Sequence, residues 1–446
     1  MSKKKRPMKA RPDIKLSQCM IVKNEEKNIE KALNWAKPIT YEQIVVDTGS
    51  TDRTVEIAEK LGAKVFHFEW INDFAAAKNY AIEQASGNWI AFLDADEYLS
   101  SEDALKLIKL LEKLDENPTQ HTKSTIIRTP WYHLDDKGDV DKIDEQNRIF
   151  RNHKTIRYIS RIHEYLKTYG EVMYVDDIHI MHTGYANTEF KNKKKADRNI
   201  ELLRIELKEK PNDMMIKAYL ADSLNSKNYL NNYSIKAEVD EVNDLYTEII
   251  NESIKIPDLL KKKAYEYFIK KMHDDPSRKN EITDLCKKAL NEFPDNLDFY
   301  YYYALVLNQS GEYKQAWDLL TGIDPKVRTA TSHIAGTSAA IASDPTGIYG
   351  QTLIAAQGLG DVENTMKYAE IILKENKSLN NILAPYINLM FNTGTAPDKV
   401  LEKLAVIYDI TSPADMIFIA RAAKDCGAVE FAKMIMTIAG EMMGSK

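Results

Sequence analysis

Gln43-Ile-Val-Val-Asp-Thr-Gly-Ser-Thr-Asp-Arg-Thr54 decides the fold. A short apolar run of strand length ends in a carboxylate, Asp47. Gly49 then permits a tight turn, and Ser50 or Asp52 is placed to cap a helix from Thr51 to Leu61 that closes at Gly62. The same unit recurs on both sides. Upstream, Gln18-Cys-Met-Ile-Val22 is an apolar run, and Glu25 to Ala36 reads as a helix with Asn24 as its cap. Downstream, Lys64-Val-Phe-His-Phe68 is a third run. Asp73 to Ala85 then reads as a helix with Phe74, Ala77, Ala81 and Ala85 on one face. Trp89-Ile-Ala-Phe-Leu-Asp94 is a fourth run. The runs end at residues 22, 47, 68 and 94, which are 25, 21 and 26 residues apart. A strand–helix–strand crossover needs that spacing, so the sheet begins parallel and the fold class is α/β. Ligands of such sheets sit at the carboxyl ends of the strands, and there the chain carries Asn24, Glu25, Asp47, Asp94 and Asp96.

From about residue 120 to 190 the pattern loosens into short β-like pieces, followed by the charge run Lys191-Asn-Lys-Lys-Lys195, which reads as a solvated helix start or linker. After residue 196 helical periodicity takes over and repeats. Gly360, Gly394 and Gly427 are 34 and 33 residues apart. Gly311-Glu-Tyr-Lys-Gln-Ala316 and Gly427-Ala-Val-Glu-Phe-Ala432 look like the turn and second-helix start of a tetratricopeptide repeat, and Lys288-Ala-Leu-Asn-Glu-Phe-Pro-Asp-Asn296 like the end of one. Thr365 and Lys399 stand where alanine is expected, and the 49-residue step from Gly311 to Gly360 implies an insertion. The expected organisation is a flexible 1–15, an α/β domain over 16–190 and an all-α helical repeat domain over 196–446.

Composition sets outer limits. Of 446 residues 44% are hydrophobic, and 61 basic against 67 acidic residues leave a net charge of −6. Enough apolar surface is present for a real core, and the chain as a whole is no nucleic-acid polycation. No apolar stretch is long enough to suggest a transmembrane helix, and the basic Met1–Arg6 is followed by polar residues where a signal peptide would be apolar. Cys19, Cys286 and Cys426 have neither disulfide nor metal spacing and read as buried thiols. The expectation is a soluble, cytoplasmic protein.

Phe92-Leu-Asp-Ala-Asp-Glu97 delivers two carboxylates, Asp94 and Asp96, from the end of an apolar strand. Hard divalent cations take such oxygens and share them with phosphates, although a plain strand-end turn would carry the same letters. The order of segments is more specific. Val22-Lys-Asn-Glu-Glu26, Asp47-Thr-Gly-Ser-Thr-Asp-Arg-Thr54, Asn72-Asp-Phe-Ala-Ala-Ala-Lys-Asn79 and Asp94-Ala-Asp-Glu97 together closely resemble the GT-A glycosyltransferases of family 2, over about residues 16–185. Arg148-Ile-Phe-Arg-Asn152, Arg161-Ile-His-Glu-Tyr165 and His182-Thr-Gly-Tyr185 are similar to motifs of a subgroup with tetratricopeptide helices. That subgroup includes enzymes that glycosylate Cys or Ser of bacteriocin peptides and relatives that modify proteins such as flagellin.

The resemblance implies a Rossmann-like GT-A domain with a mainly parallel sheet, a UDP-sugar donor and Mn²⁺ or Mg²⁺. It implies that Asn24, Glu25 and Asp47 hold uracil and ribose, with Val22, Ser50, Arg148 and Arg151 also in the nucleotide-sugar site. Lys78 would lie near the nucleotide or its phosphates, and Asp94 would contact ribose or a metal-bound water. Asp96 would ligate the metal, with His182 as a further ligand. Family members invert by single displacement, so an acceptor hydroxyl needs a base on the far face, whereas a thiol needs less help. Glu164 is the first choice for that base, with His163 beside it on acceptor or phosphate. No Glu-Asp dipeptide aligns where many relatives keep their base. Three functions follow in order of expectation. The first is transfer of glucose or N-acetylglucosamine to a protein or peptide held by the helical repeats. The second is transfer to a cell-surface glycan or lipid-linked saccharide, with the repeats forming a homodimer. The third is a non-catalytic helical-repeat scaffold.

Overall fold

Each of the four apolar runs is a strand: β1 (Leu16–Val22), β2 (Glu42–Asp47), β3 (Lys64–His67) and β4 (Trp89–Phe92). Between them lie α1 (Ile29–Asn34), α2 (Thr54–Lys60) and α3 (Phe74–Gln84). The structure, a computed structural model, describes residues 14–116, 125–135, 137–168, 170–183, 189–252, 256–273, 275–323 and 346–444. Most of the expected flexible N-terminus, and Gly184 and Tyr185 of the last quoted motif, therefore lie outside the described residues. Helices α1 and α2 start later than the sequence suggests, because residues 23–28 and 48–53 are engaged with each other as loops.

The parallel half of the sheet runs β3-β2-β1-β4, with Ser17–Val22 paired in register to Glu42–Asp47. The chain then forms β5 (Glu97–Leu99), α4 (Ser101–Glu116), β6 (Ile126–Leu134), β7 (Val140–Arg151), β8 (Arg157–Ile159), β9 (Tyr165–Lys167), β10 (Val172–Tyr174) and β11 (Ile180–His182). The sheet continues β4-β7-β6-β11-β5, with β10 on β6, while β8 and β9 pair separately. Strand β7 is antiparallel to both β4 and β6. A short turn through Gly138 joins β6 to β7, and a hairpin of that kind forces antiparallel pairing. The GT-A-like expectation of a mainly parallel sheet thus describes the first four strands, and the whole sheet is mixed.

Strand alternation divides the core. Cys19, Ile44, Val46, Ile90, Phe92 and Phe150 face α3. Met20, Val22 and Val45 pack on Ile29, Ala32 and Leu33 of α1 and on Ala58 of α2. Trp89, Ala91 and Leu93 pack on Leu107 and Leu111 of α4. Each fully buried Val, Leu, Ile, Met or Phe side chain among these stabilises by about 1.5–3 kcal/mol.

Helices α5 (Glu189–Glu209), α6 (Met214–Leu230) and α7 (Lys236–Asn251) follow. The compact unit that contains the sheet extends to Ile249, so it includes helices that the sequence pattern grouped with the repeats. Among the described residues the second unit is all-helical: α8 (Asp258–Met272), α9 (Lys279–Glu292), α10 (Leu297–Gln309), α11 (Tyr313–Thr321), α12 (Thr346–Gly358), α13 (Val362–Glu375), α14 (Asn380–Asn392), α15 (Pro397–Leu404), α16 (Pro413–Asp425) and α17 (Val429–Gly444). Gly311, Gly360, Gly394 and Gly427 each take a positive φ in the turn between two of these helices. That is the left-handed position for which glycine is favoured, so the spacing seen in the sequence is the spacing of helix pairs. Ala316, Thr365 and Ala432 are buried, whereas Lys399 is exposed and Val400 is buried instead. Among the described residues no helix is long and apolar enough to cross a membrane.

The amino ends of the strands are closed by Glu42. Its buried carboxylate accepts from Ser17 Oγ at 2.7 Å, Ser86 N at 2.6 Å, Ser86 Oγ at 2.9 Å and Lys64 Nζ at 2.7 Å. Burial pushes this carboxyl up, but the bonds from Lys64, Ser86 and Ser17 outweigh it and hold the pKa at about 2. A carboxyl lowered on folding stabilises above its unfolded value, and that stability is lost as pH falls through the folded one. Glu42→Gln is expected to cost about 1–3 kcal/mol at pH 7. In urea unfolding the gap to the parent should narrow between about pH 4.5 and about pH 2. A gap independent of pH would contradict this assignment.

Candidate active site

At the opposite, carboxyl ends, the loops after β1 and β2 are stitched together. Asn24, at φ +59°, accepts from Thr51 N at 2.7 Å through Oδ1 and donates its own N–H to Ser50 Oγ at 2.9 Å. Glu25 N donates to Thr54 Oγ1 at 2.7 Å, and Glu26 N to Asp52 Oδ2 at 3.2 Å. Asp47 is buried and accepts from Ser50 N at 3.0 Å and Gly49 N at 3.2 Å, with Gly49 at φ +104°. Asp52, not Ser50, takes the backbone N–H of Thr54 at the start of α2, at 3.0 Å. Ser50 instead joins the two loops. Val22 is not brought into the site. Its side chain belongs to the core under α1, and its carbonyl is occupied by Thr48 N at 3.0 Å.

Behind these loops lies a buried chain of charges. Lys78, on α3, places Nζ 2.8 Å from Glu164 Oε1 and 3.4 Å from Asp94 Oδ1. It also lies over the rings of Phe92 and Tyr158, 5.2 and 5.1 Å from their centres. Arg148, on β7, gives Nη2 to Asp94 Oδ2 at 2.7 Å and to Glu97 Oε1 at 2.5 Å. Glu97 Oε2 in turn accepts from Asp94 N at 2.9 Å. Burial alone would raise the Asp94 carboxyl, yet Arg148 and Lys78 hold it well below the usual carboxylate range. Burial would lower Lys78, and Asp94 and Glu164 keep it above its ordinary value. Glu97 is pushed up by burial and by Asp94, against the pull of Arg148. Tyr158 is buried beside them with its hydroxyl lacking a hydrogen-bond partner among the described residues, and burial raises it to about 12. The sequence reading missed Glu97 and Tyr158 as site residues. Glu97 was visible within Asp-Ala-Asp-Glu, whereas nothing in the spacing pointed to Tyr158.

Arg151 does not join Arg148. Three residues apart on one strand, their side chains leave opposite faces of the sheet. Arg151 pairs with Asp115 of α4 and stacks 4.1 Å from the Trp89 ring centre. The structure thus places Arg151 as a tie between β7 and α4, away from Arg148 and Asp94. Glu164 and His163 also part. His163, at φ +53°, lays its exposed ring on Tyr219 of α6, 4.2 Å away and 14° from parallel. Glu164 turns inward to Lys78. The segment that carries them is anchored to α5 by Arg161, whose N–H reaches Glu206 at 3.1 Å and whose Nη2 reaches Glu209 at 2.6 Å.

Asp96 and His182 converge at the strand ends, Oδ2 to Nε2 at 3.2 Å. Pairing of β11 with β5 sets this contact, and Thr183 N donates to the Asp96 carbonyl at 3.0 Å. On its other side His182 Nδ1 lies 3.2 Å from His133 Nδ1, and His133 Nε2 lies 3.0 Å from Asp144 Oδ2. Glu25 also faces this corner. Burial and the charges of Asp96, Asp94 and Asp52 raise its carboxyl, against a hydrogen bond from Asn28. A carboxylate and an imidazole aimed at one point are groups that can ligate a divalent cation. Among the described residues no three His, Cys, Asp or Glu side chains form a complete metal cage.

Residues 17–168 match the family described as glycosyl transferase family 2. The chain is 33% identical over 219 residues to a TPR repeat-containing protein of Synechococcus elongatus, covering 47% of this chain and 51% of that protein. It is 32% identical over 196 residues to the SPbeta prophage-derived glycosyltransferase SunS of Bacillus subtilis, covering 42% of this chain and 44% of that one. The chain thus spans about half the length of these curated relatives. The solved structure of S. aureus TarS 1-349 in complex with UDP-GlcNAc is 15% identical at a TM-score of 0.31, over 82% of this chain and 92% of that one. At that distance the likeness carries no chemistry from one site to the other.

Removing one partner of a buried ion pair leaves the other charge uncompensated, at about 3–5 kcal/mol. Arg148→Met is expected to destabilise the sheet-containing unit by that amount, read as a fall in its urea midpoint. A loss below about 1 kcal/mol, the size of an exposed pair, would show that the network is not buried as described.

Proposed function

We propose that the protein, whose residues 17–168 match glycosyl transferase family 2, is a metal-dependent inverting glycosyltransferase. It moves glucose or N-acetylglucosamine from a UDP-sugar to a Ser, Thr or Cys side chain of a protein or peptide. The observation that carries the proposal is the convergence of Asp96 and His182 at 3.2 Å beside Glu25, at the carboxyl ends of the strands. The polypeptide acceptor rests on the helical half of the chain, since helical arrays offer extended binding surfaces.

Asp47, Asn24 and Glu25 hold the nucleoside in this reading, and Ser50 keeps the Asn24 loop in place. Lys78 and Arg148 are already committed to Asp94, so they act by fixing that carboxylate, which would orient the ribose. Asp96 and His182 would hold Mn²⁺ or Mg²⁺, which would supply positive charge to the diphosphate leaving group. The acceptor oxygen or sulfur attacks the anomeric carbon as the bond to the diphosphate breaks. The electron pair leaves with UDP, and the acceptor proton passes to Glu164. Lys78 positions that carboxylate from the buried side.

The test is release of UDP from UDP-glucose, UDP-N-acetylglucosamine and UDP-galactose with Mn²⁺. One donor is expected to support release, and Asp96→Ala to abolish it. Glu164→Gln is expected to slow transfer to acceptor by about 10²–10⁴-fold, the usual contribution of a general base. Absence of both release and donor binding by calorimetry would overturn the proposal. Full transfer by Glu164→Gln would remove Glu164 from its role.

A further inference from the structure

We infer that Asp144 and His133, two residues outside every recognised motif, are positioning residues that preset His182 to meet a cation through Nε2. The inference rests on the metal reading proposed above and adds to it the groups that decide where the ring protons lie.

Strand register builds the arrangement. His182 of β11 pairs with His133 of β6, and Trp131 of β6 pairs with Asp144 of β7. His133 and Asp144 are therefore diagonal neighbours on adjacent strands, within reach of each other on one face. The contacts run in a line: Asp96 Oδ2 to His182 Nε2 at 3.2 Å, His182 Nδ1 to His133 Nδ1 at 3.2 Å, and His133 Nε2 to Asp144 Oδ2 at 3.0 Å. The Trp131 ring lies against both imidazoles, 4.2 Å from His133 and 4.6 Å from His182. His133 is 4% exposed.

The proton positions follow from the far end of the line. A carboxylate only accepts, so the His133 proton belongs on Nε2, facing Asp144. The Nδ1 of a neutral His133 then has a lone pair and needs a donor. His182 supplies it by holding its own proton on Nδ1. His182 Nε2 is left with a lone pair aimed at Asp96, itself an acceptor. Two acceptors 3.2 Å apart with no proton between them form a seat for a cation. The opposite tautomer would let His182 Nε2 donate to Asp96 and close the seat. It would also turn a His133 lone pair toward Asp144, placing two acceptors at 3.0 Å. Asp144 thus disfavours the closed form from two residues away. Partners of this kind, behind the ligands themselves, are worth about 10–100-fold in metal affinity.

The test is Mn²⁺ binding to the full chain in the presence of UDP, followed by the electron paramagnetic resonance signal of free Mn²⁺, with thermal midpoints recorded in parallel. Asp144→Asn, whose amide can donate to His133, and His133→Phe are each expected to weaken Mn²⁺ by about 10–100-fold. His133→Asn keeps an acceptor near the Nδ1 position and is expected to restore most of the affinity. In a His182→Ala background, Asp144→Asn is expected to cause no further loss, because its effect passes through that ring. Parent-like binding in Asp144→Asn, or an equal loss in the His182→Ala background, would overturn the inference while leaving the metal reading intact. No Mn²⁺ binding by the parent protein would overturn both.

Discussion

Asp94 is held between Lys78 and Arg148, and the arrangement of the site depends on that contact. Taking these charges out of water costs several kcal/mol each, and only their mutual contacts offset it. The side chains come from α3, the end of β4 and β7, with Glu97 of β5 and Glu164 of the segment after β8 attached to the same cluster. Five separate pieces of chain therefore meet at one electrostatic point. Displacing any one of them would leave a buried charge without its partner. The result is a rigid floor beneath the strand ends, and rigid, preoriented charges are what a site of this kind needs before its substrate arrives.

The two ends of the parallel strands treat charge in opposite ways. At the amino ends, Glu42 is fully matched by Lys64, Ser17 and Ser86, and the backbone is closed over it. At the carboxyl ends, Glu25, Asp94 and Asp96 lie close together, and among the described residues Asp94 is the one matched by buried cations, Lys78 and Arg148. Glu25 is pushed up first by burial and then by the charges of Asp96, Asp94 and Asp52, against a hydrogen bond from Asn28. One end is finished as structure. The other keeps an acidic corner that a divalent cation would balance, next to loops that Asn24 and Ser50 hold in one conformation.

Much of this is legible in the sequence because it is local. The four apolar runs, the crossover spacing and the glycine period each depend on residues near one another in the chain, and the structure has strands and helix turns at those places. What the sequence hides depends on pairing between distant strands. Arg148 and Arg151 look equivalent in Arg-Ile-Phe-Arg, yet an odd spacing on a strand sends one to Asp94 and the other to Asp115. His163 and Glu164 are adjacent as letters and diverge because His163 takes a left-handed backbone conformation. His133 and Asp144 carry no motif at all, and only the register of β6 with β7 and β11 brings them to His182. The late starts of α1 and α2 have a similar cause, since bonds between two loops compete with the first helical turns.

The central claim is that a divalent cation and a nucleoside diphosphate meet at Asp96 and His182. Crystals grown with UDP and Mn²⁺ and measured at the manganese absorption edge test it most directly. The account predicts an anomalous peak bonded to Asp96 and to His182 Nε2, with diphosphate oxygens completing its coordination. A peak elsewhere, with the Asp96–His182 contact still closed and UDP away from the carboxyl ends of β1, β2 and β4, would contradict it.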